Sequence, residues 1–308
     1  MKEVYQTSRK LQAFLSLIRF NKPIGLLLLL WPAYWALWLA SGLQPAWPVV
    51  WVFTIGVWVM RSAGCIINDW ADRRVDGHVA RTQHRPLVVG ALTPKEALWG
   101  LMVLLGIAFW LVLQLNLLAR ALAVGALGLT LLYPFMKRIT HYPQLVLGCA
   151  WGFSVLMAFG AVQNTIPLAA GWLYTAVVCW TIAFDSYYAM ADWPDDVVIG
   201  VKSPAVRWGY QTPHWVLGFQ GMALGCLVQV GRLLGLTWPY WGALCVAGVG
   251  VLMQYQRVYK ACQTRHVPLI QQTAFSAFYQ NHWIGFVIFL GIWQSSNNSL
   301  IGRLISSG

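Results

Sequence analysis

Apolar residues in this chain gather into runs long enough to cross a bilayer, which takes about 20 consecutive apolar residues. Nine such runs are legible, near residues 24–41, 47–67, 95–114, 117–135, 143–162, 166–188, 214–234, 238–256 and 276–294. The pattern predicts an all-α membrane protein of about nine transmembrane helices. Ahead of the first run, residues 8–20 mix basic and apolar positions at helical spacing, the pattern of a helix lying in the bilayer interface. The first run is read as a retained span rather than a leader, because eight more follow and no convincing cleavage context separates them. The chain is then one polytopic unit over 1–308, with a cytoplasmic or interfacial N-terminal helix in 1–22 and the transmembrane bundle in 23–308.

Composition agrees with that reading. Apolar residues make up 58% of the chain and charged residues only 10%, whereas a soluble domain carries about 25% charged residues. Counting Lys and Arg orients the spans. With the N-terminus inside, 18 of the 21 basic residues fall in inner segments, leaving Arg120, Arg232 and Arg303 outside. This is the asymmetry that the positive-inside rule demands. A net charge of +12 suits anionic lipid surfaces and anionic substrates, and no nucleic-acid motif competes for it. The six cysteines are scattered, without a C-x-x-C pair, and indicate neither disulfides nor zinc.

The acidic residues are distributed very differently. Seven of nine sit in two clusters: Asp69, Asp72 and Asp76 within Asn68–Asp76, and Asp185, Asp192, Asp195 and Asp196. Four spans separate the clusters, an even number, so both fall on the cytoplasmic side. Asn68, Asp72 and Asp76 follow one another at four-residue intervals, which places them on about one face of a helix continuing from the second span. The spacing recurs at Asp192 and Asp196, hinting at duplication of a four-helix unit. Solvated acidic loops are the ordinary meaning of such runs, yet every other inner loop here is basic. Carboxylates crowded together repel unless a cation holds them, and a hard divalent ion with oxygen ligands is the simplest such cation. Arg73, Arg74, Arg81 and Arg85 accompany the first cluster, and Lys202 and Arg207 follow the second. Carboxylates, cations and Mg²⁺ on one membrane face make a site for a diphosphate carried on a lipid tail. Glu96 has a different reading: Thr93-Pro94-Lys95-Glu96 is a capping box at a helix start.

The paired motifs N-D-x-x-D-x-x-x-D at 68–76 and D-x-x-x-x-x-x-D-x-x-x-D at 185–196 resemble those of UbiA-type intramembrane prenyltransferases. The likeness extends over Arg19–Gly25, Leu29–Pro32, Arg81–Leu87, Tyr133–Arg138, His141–Gln144 and Ile199–Ser203, and is strongest with the bacterial branch acting on 4-hydroxybenzoate in ubiquinone biosynthesis. It implies a nine-helix bundle around a central cavity, capped by cytoplasmic loops, in the bacterial inner membrane. Mg²⁺ and polyprenyl diphosphate would be held there, and the ring of 4-hydroxybenzoate would be prenylated ortho to its hydroxyl. By the same resemblance Asp72, Asp76, Asp192 and Asp196 are the metal and diphosphate ligands, supported by Asn68, Asp69 and Asp185. Lys22, Arg81, Arg85 and Lys202 would neutralise phosphate oxygens. Arg138 stands where the acceptor carboxylate is expected, with Arg61 next in line.

Two departures from the family pattern concern the backbone. Pro194 interrupts the second cluster and disfavours helix at the residue before it, so Asp192 and Asp196 are expected to leave one continuous helix. Pro204 after Lys-Ser is also unusual. The alternatives are another aromatic acceptor, such as a dihydroxynaphthoate, a homogentisate or a haem vinyl group, and a cation transporter using intramembrane acids. A transporter would place its acids in mid-span, whereas these lie at span ends.

Overall fold

The computed structural model describes the backbone of residues 2–73, 77 and 82–306, and the side chains of all of these except 2–8, 137, 199 and 296–306. Among the described residues there are α-helices and no strands. In chain order they are α1 (Lys2–Leu17), α2 (Ile24–Ala40), α3 (Trp47–Asp72), α4 (Pro94–Val112), α5 (Leu117–Ile139), α6 (Pro143–Gln163), α7 (Leu168–Ile199), α8 (Pro204–Trp208), α9 (Thr212–Leu234), α10 (Trp238–Thr264) and α11 (Val267–Ser306). A helix thus occupies each of the nine apolar runs. Six segments, α3 to α7 and Pro204–Leu234, are long and apolar enough to cross a membrane, and α2 is apolar but shorter. The apolar run of α10 is diluted by Trp238, Tyr240, Trp241 and Gln254.

Local chemistry sets the helix ends. Proline at the first or second position opens α3, α4, α6, α8, α9 and α10, where the missing N–H costs nothing. The expected capping box is present on α4: Glu96 N donates to Thr93 Oγ1 at 3.2 Å and Thr93 N donates to Glu96 Oε2 at 2.9 Å. Lys10 Nζ lies 2.5 Å from Glu96 Oε1, so the same carboxylate ties α1 to α4. Thr93→Ala should lower stability by about 1 kcal/mol, read as a small fall in the thermal midpoint of the detergent-solubilised protein with turnover retained. At the other end of a helix, Gly200 stops α7 with φ of 70°, a left-handed residue that glycine adopts without strain.

The prolines within the chain resolve differently from expectation. α7 runs unbroken through Pro194 to Ile199, so Asp185, Asp192 and Asp196 share one helix after all. Pro32 and Pro134 lie inside α2 and α5 in the same way. Membrane helices tolerate such residues because packed neighbours re-satisfy the freed carbonyls. Pro204 is the first residue of α8, with Ser203 Oγ accepting from Val206 N at 3.4 Å, an ordinary helix start.

Two cores hold the bundle. The larger packs α2, α6, α7, α9, α10 and α11 around Trp35, Phe159, Phe184, Tyr187 and Tyr240. The smaller joins α1 to α3 and α4 through Leu17, Ile18, Val59, Ile66 and Leu104. α7 is the central and most buried of these spans, whereas α4 and Leu117–Met136 of α5 are mostly exposed and face the surroundings. Small residues allow α6 its close approach to α7: a Cβ on Gly148 would meet Val178 O at 3.0 Å, and one on Gly152 would meet Tyr174 at 2.7 Å. Gly221 and Gly225, at the same spacing on α9, approach nothing within 4 Å. Deeper in the bundle, Trp180, Gln220, Gln254 and Asn281 hydrogen-bond to one another across α7, α9, α10 and α11. The void beside Trp180 and Gln220 measures about 10 Å³, room for no more than a water-sized group.

Candidate active site

α3 delivers the first acidic cluster at its last turns. Asn68 is half-buried, Asp69 and Asp72 are 1% and 2% exposed, and Asp72 is the final helical residue. Asp76 and Arg81 lie outside the described residues, so the expected helical face is observed only as far as Asp72. Asp185, Asp192 and Asp196 are half-buried along the last part of α7.

The two clusters meet around Tyr133 of α5. Its half-buried phenol stands in the fields of Asp185, Tyr188, Asp72 and Arg61, which come from α7, α7, α3 and α3. Asp185 is in turn within reach of Asp192 and hydrogen-bonded by Gln144 in the first turn of α6. Carboxylates more than a hundred residues apart in sequence therefore border one pocket of charge. Their hard oxygen donors suit Mg²⁺ rather than a soft metal. Among the described residues no three His, Cys, Asp or Glu side chains close an ion site by themselves. Such a donor set fits an ion that completes its shell with substrate phosphate oxygens.

Asp69, expected among the metal supports, is held by two arginines. Arg19 Nη2 lies 2.8 Å from both of its carboxylate oxygens, and Arg85 Nη1 lies 2.9 Å from Oδ1. Arg19 reaches it from a left-handed turn, φ of 58°, and also donates to Ser16 O at 3.0 Å, covering a terminal carbonyl of α1. One carboxylate thereby joins the turn after α1, the end of α3 and the loop before α4. Arg85, expected as a phosphate ligand, has at least one nitrogen committed to this pair.

The cations expected to meet substrate divide into two groups. Arg138 is exposed, with Nη2 donating to Ala71 O at 3.2 Å and the guanidinium 5.9 Å above the Phe135 ring. Lys202 Nζ donates to Ile139 O at 3.2 Å, and Lys22 is exposed in the α1–α2 connection. Arg61 instead lies on the inward side of α3, among Arg19, Tyr188, Tyr133 and Asp69, with Nη1 donating to Cys65 Sγ. Arg138 thus lies at an exposed helix end and Arg61 near Tyr133 and Tyr188. Tyr133, Gln144, Tyr188 and Arg19 were not among the residues expected at the site, although three of them stand within strings that resemble the family; their nearness to the acidic clusters shows only when the helices are assembled.

The description "UbiA prenyltransferase family" matches residues 29–278. The "4-hydroxybenzoate octaprenyltransferase" of Escherichia fergusonii is 47% identical over 291 residues, covering 94% of this chain and 97% of that protein. The protein of the same name in Colwellia psychrerythraea is 48% identical, covering 89% of this chain and 93% of its own. Among solved structures, the apo UbiA homolog from Aeropyrum pernix superposes with a TM-score of 0.74 at 22% identity, over 86% of this chain and 96% of that one. A UbiA homolog from Archaeoglobus fulgidus bound to GPP and Mg²⁺ does so with a TM-score of 0.64 at 16% identity, over 90% of this chain and 99% of that one. Multiple apolar helices, two acidic motifs brought to one place and matches along nearly the full length give one conclusion: this multi-pass membrane protein belongs to the UbiA prenyltransferase family.

Proposed function

We propose that the chain transfers a polyprenyl group from a polyprenyl diphosphate to the carbon ortho to the hydroxyl of 4-hydroxybenzoate, a step of ubiquinone biosynthesis. The observation that carries this reading is the convergence of Asp72, Asp185, Arg61 and Tyr188 on Tyr133, together with relatives that bear that name along their whole length. The reading places the protein in the bacterial inner membrane, with nine crossing helices around the substrate space and the N-terminus in the cytoplasm.

Asp72, Asp76, Asp192 and Asp196, with Asn68 and Asp185 beside them, are the residues that would hold Mg²⁺. Bound there, the ion would neutralise a diphosphate as it departs. Lys22, Arg81, Arg85 and Lys202 are the cations that would offset phosphate charge. Tyr133 and Tyr188 lie near the carboxylates, where a π-system would favour positive charge developing on the allylic carbon. Arg61 sits behind them and binds the acceptor carboxylate, holding the ring with its electron-rich ortho carbon toward the prenyl group. An arginine suits this task because its planar fork matches a carboxylate with two parallel hydrogen bonds.

Purified protein incubated with Mg²⁺, 4-hydroxybenzoate and polyprenyl diphosphates of several lengths should give a prenylated 4-hydroxybenzoate identifiable by mass. Octaprenyl is the length to test first. Absence of that product at every length, with another aromatic acid prenylated instead, would reassign the acceptor. Loss of the charged hydrogen bonds from Arg61 should cost roughly 1.5–3 kcal/mol, about ten- to a hundredfold. Arg61→Ala is therefore expected to raise KM for 4-hydroxybenzoate by that factor with little change in KM for the diphosphate, whereas Arg138→Ala should move the acceptor KM less than about threefold. The reverse order would return the carboxylate to Arg138.

A further inference from the structure

We infer that Gly25 is a positioning residue for acceptor recognition, because the absence of a side chain there gives the Arg61 guanidinium its place. The inference rests on the reading of Arg61 as the carboxylate partner. Gly25 is the second residue of α2, buried, and turned toward α3. A Cβ added to it would lie 2.6 Å from both Nε and Nη2 of Arg61 and 3.0 Å from Cζ. Real Cβ contacts do not come so close, so the guanidinium must move if Gly25 acquires a side chain. On the opposite side Nη1 meets Cys65 Sγ, a buried thiol one turn along α3. The arginine head is therefore held between the backbone of α2 and its own helix, with Tyr133 and Tyr188 completing the surround.

That placement has a chemical consequence. The Gly25 contact falls on Nε and Nη2, so α2 closes that edge and the Nη1–Nη2 edge is left to offer two parallel N–H groups to a carboxylate. Displacing this edge by a fraction of an ångström spoils bidentate geometry without removing the charge. It should thus degrade selection for a carboxylate-bearing ring, rather than general activity. Folding is not at issue in the same way, since alanine is a better helix former than glycine and the clashing atoms are the far end of a side chain.

Gly25→Ala is expected to raise KM for 4-hydroxybenzoate by about tenfold, with KM for the polyprenyl diphosphate and the melting midpoint near wild type. With 4-hydroxybenzyl alcohol, an acceptor of similar size and no carboxylate, wild type and Gly25→Ala should perform alike. Arg61→Lys supplies the second arm: lysine has no guanidinium beside Gly25 to displace, so adding Gly25→Ala to it should cause little further loss. An acceptor KM within twofold of wild type in Gly25→Ala, or a full additional loss on the Arg61→Lys background, would overturn the role of Gly25 while leaving Arg61 as the carboxylate partner. An unchanged acceptor KM in Arg61→Ala would instead overturn that partner assignment, and the role of Gly25 with it.

Discussion

Replacing Asp72 by alanine is expected to abolish prenyl transfer while the bundle stays folded, and Asp192→Ala should do the same from the other cluster. Asp72 is the last residue of α3 and 2% exposed, so its carboxylate has a defined position beside Tyr133. Asp192 lies on α7 within reach of Asp185, so it faces the same charge from the opposite helix. Stabilisation of a departing diphosphate by a bound divalent ion amounts to several kcal/mol. Losing about 4 kcal/mol of it slows turnover on the order of a thousandfold. Stability should move little or even rise, because neighbouring carboxylates repel one another when no cation is bound and each removal relieves that repulsion. The measurement is product formation over a Mg²⁺ titration, paired with thermal melting of the metal-free protein. Near-normal turnover of either variant at limiting Mg²⁺ would rule out an ion shared between the clusters.

The parts of the molecule that the sequence made legible are those governed by short-range or composition-level physics. Apolar runs placed the helices, because a bilayer admits little else. The Thr93–Glu96 capping box, a matter of four residues, is present as expected. The acidic motifs marked the ends of α3 and α7, the helices proposed to carry the chemistry. What the sequence did not reach depends on packing. Pro194 carries a local penalty that the surrounding helices override, so α7 continues to Ile199. Arg138 and Arg61 have the same chemistry and both belong to legible positions; only assembly puts one at an exposed helix end and the other among Tyr133 and Tyr188. Gly25 gave no signal of its own, since its meaning lies in an arginine 36 residues away on another helix.

Asp69 shows the same limit, and it carries the largest expected effect on stability. As an acid inside N-D-x-x-D it reads as a metal support, and spacing alone contains nothing against that. In the fold its side chain is 1% exposed and sits between Arg19 and Arg85, which are 18% and 14% exposed. Removing one partner of so enclosed a group leaves the others charged without compensation, a loss of about 3–5 kcal/mol. Asp69→Ala strands two guanidinium groups at once. It also frees Arg19 to abandon a left-handed backbone that costs roughly 1–2 kcal/mol to maintain, so α1 should detach from the end of α3. The expected result is a clear fall in melting midpoint, of the same size with and without Mg²⁺, and faster proteolysis at the α1–α2 connection. Adding Arg19→Ala to Asp69→Ala should lower the midpoint by much less than the two single effects combined, because both remove one interaction. A ligand of the ion would behave in the opposite way: Asp69→Ala would melt like wild type, and its lost turnover would return as Mg²⁺ is raised. That outcome would restore Asp69 to the metal site and leave the arginine pair without a structural task.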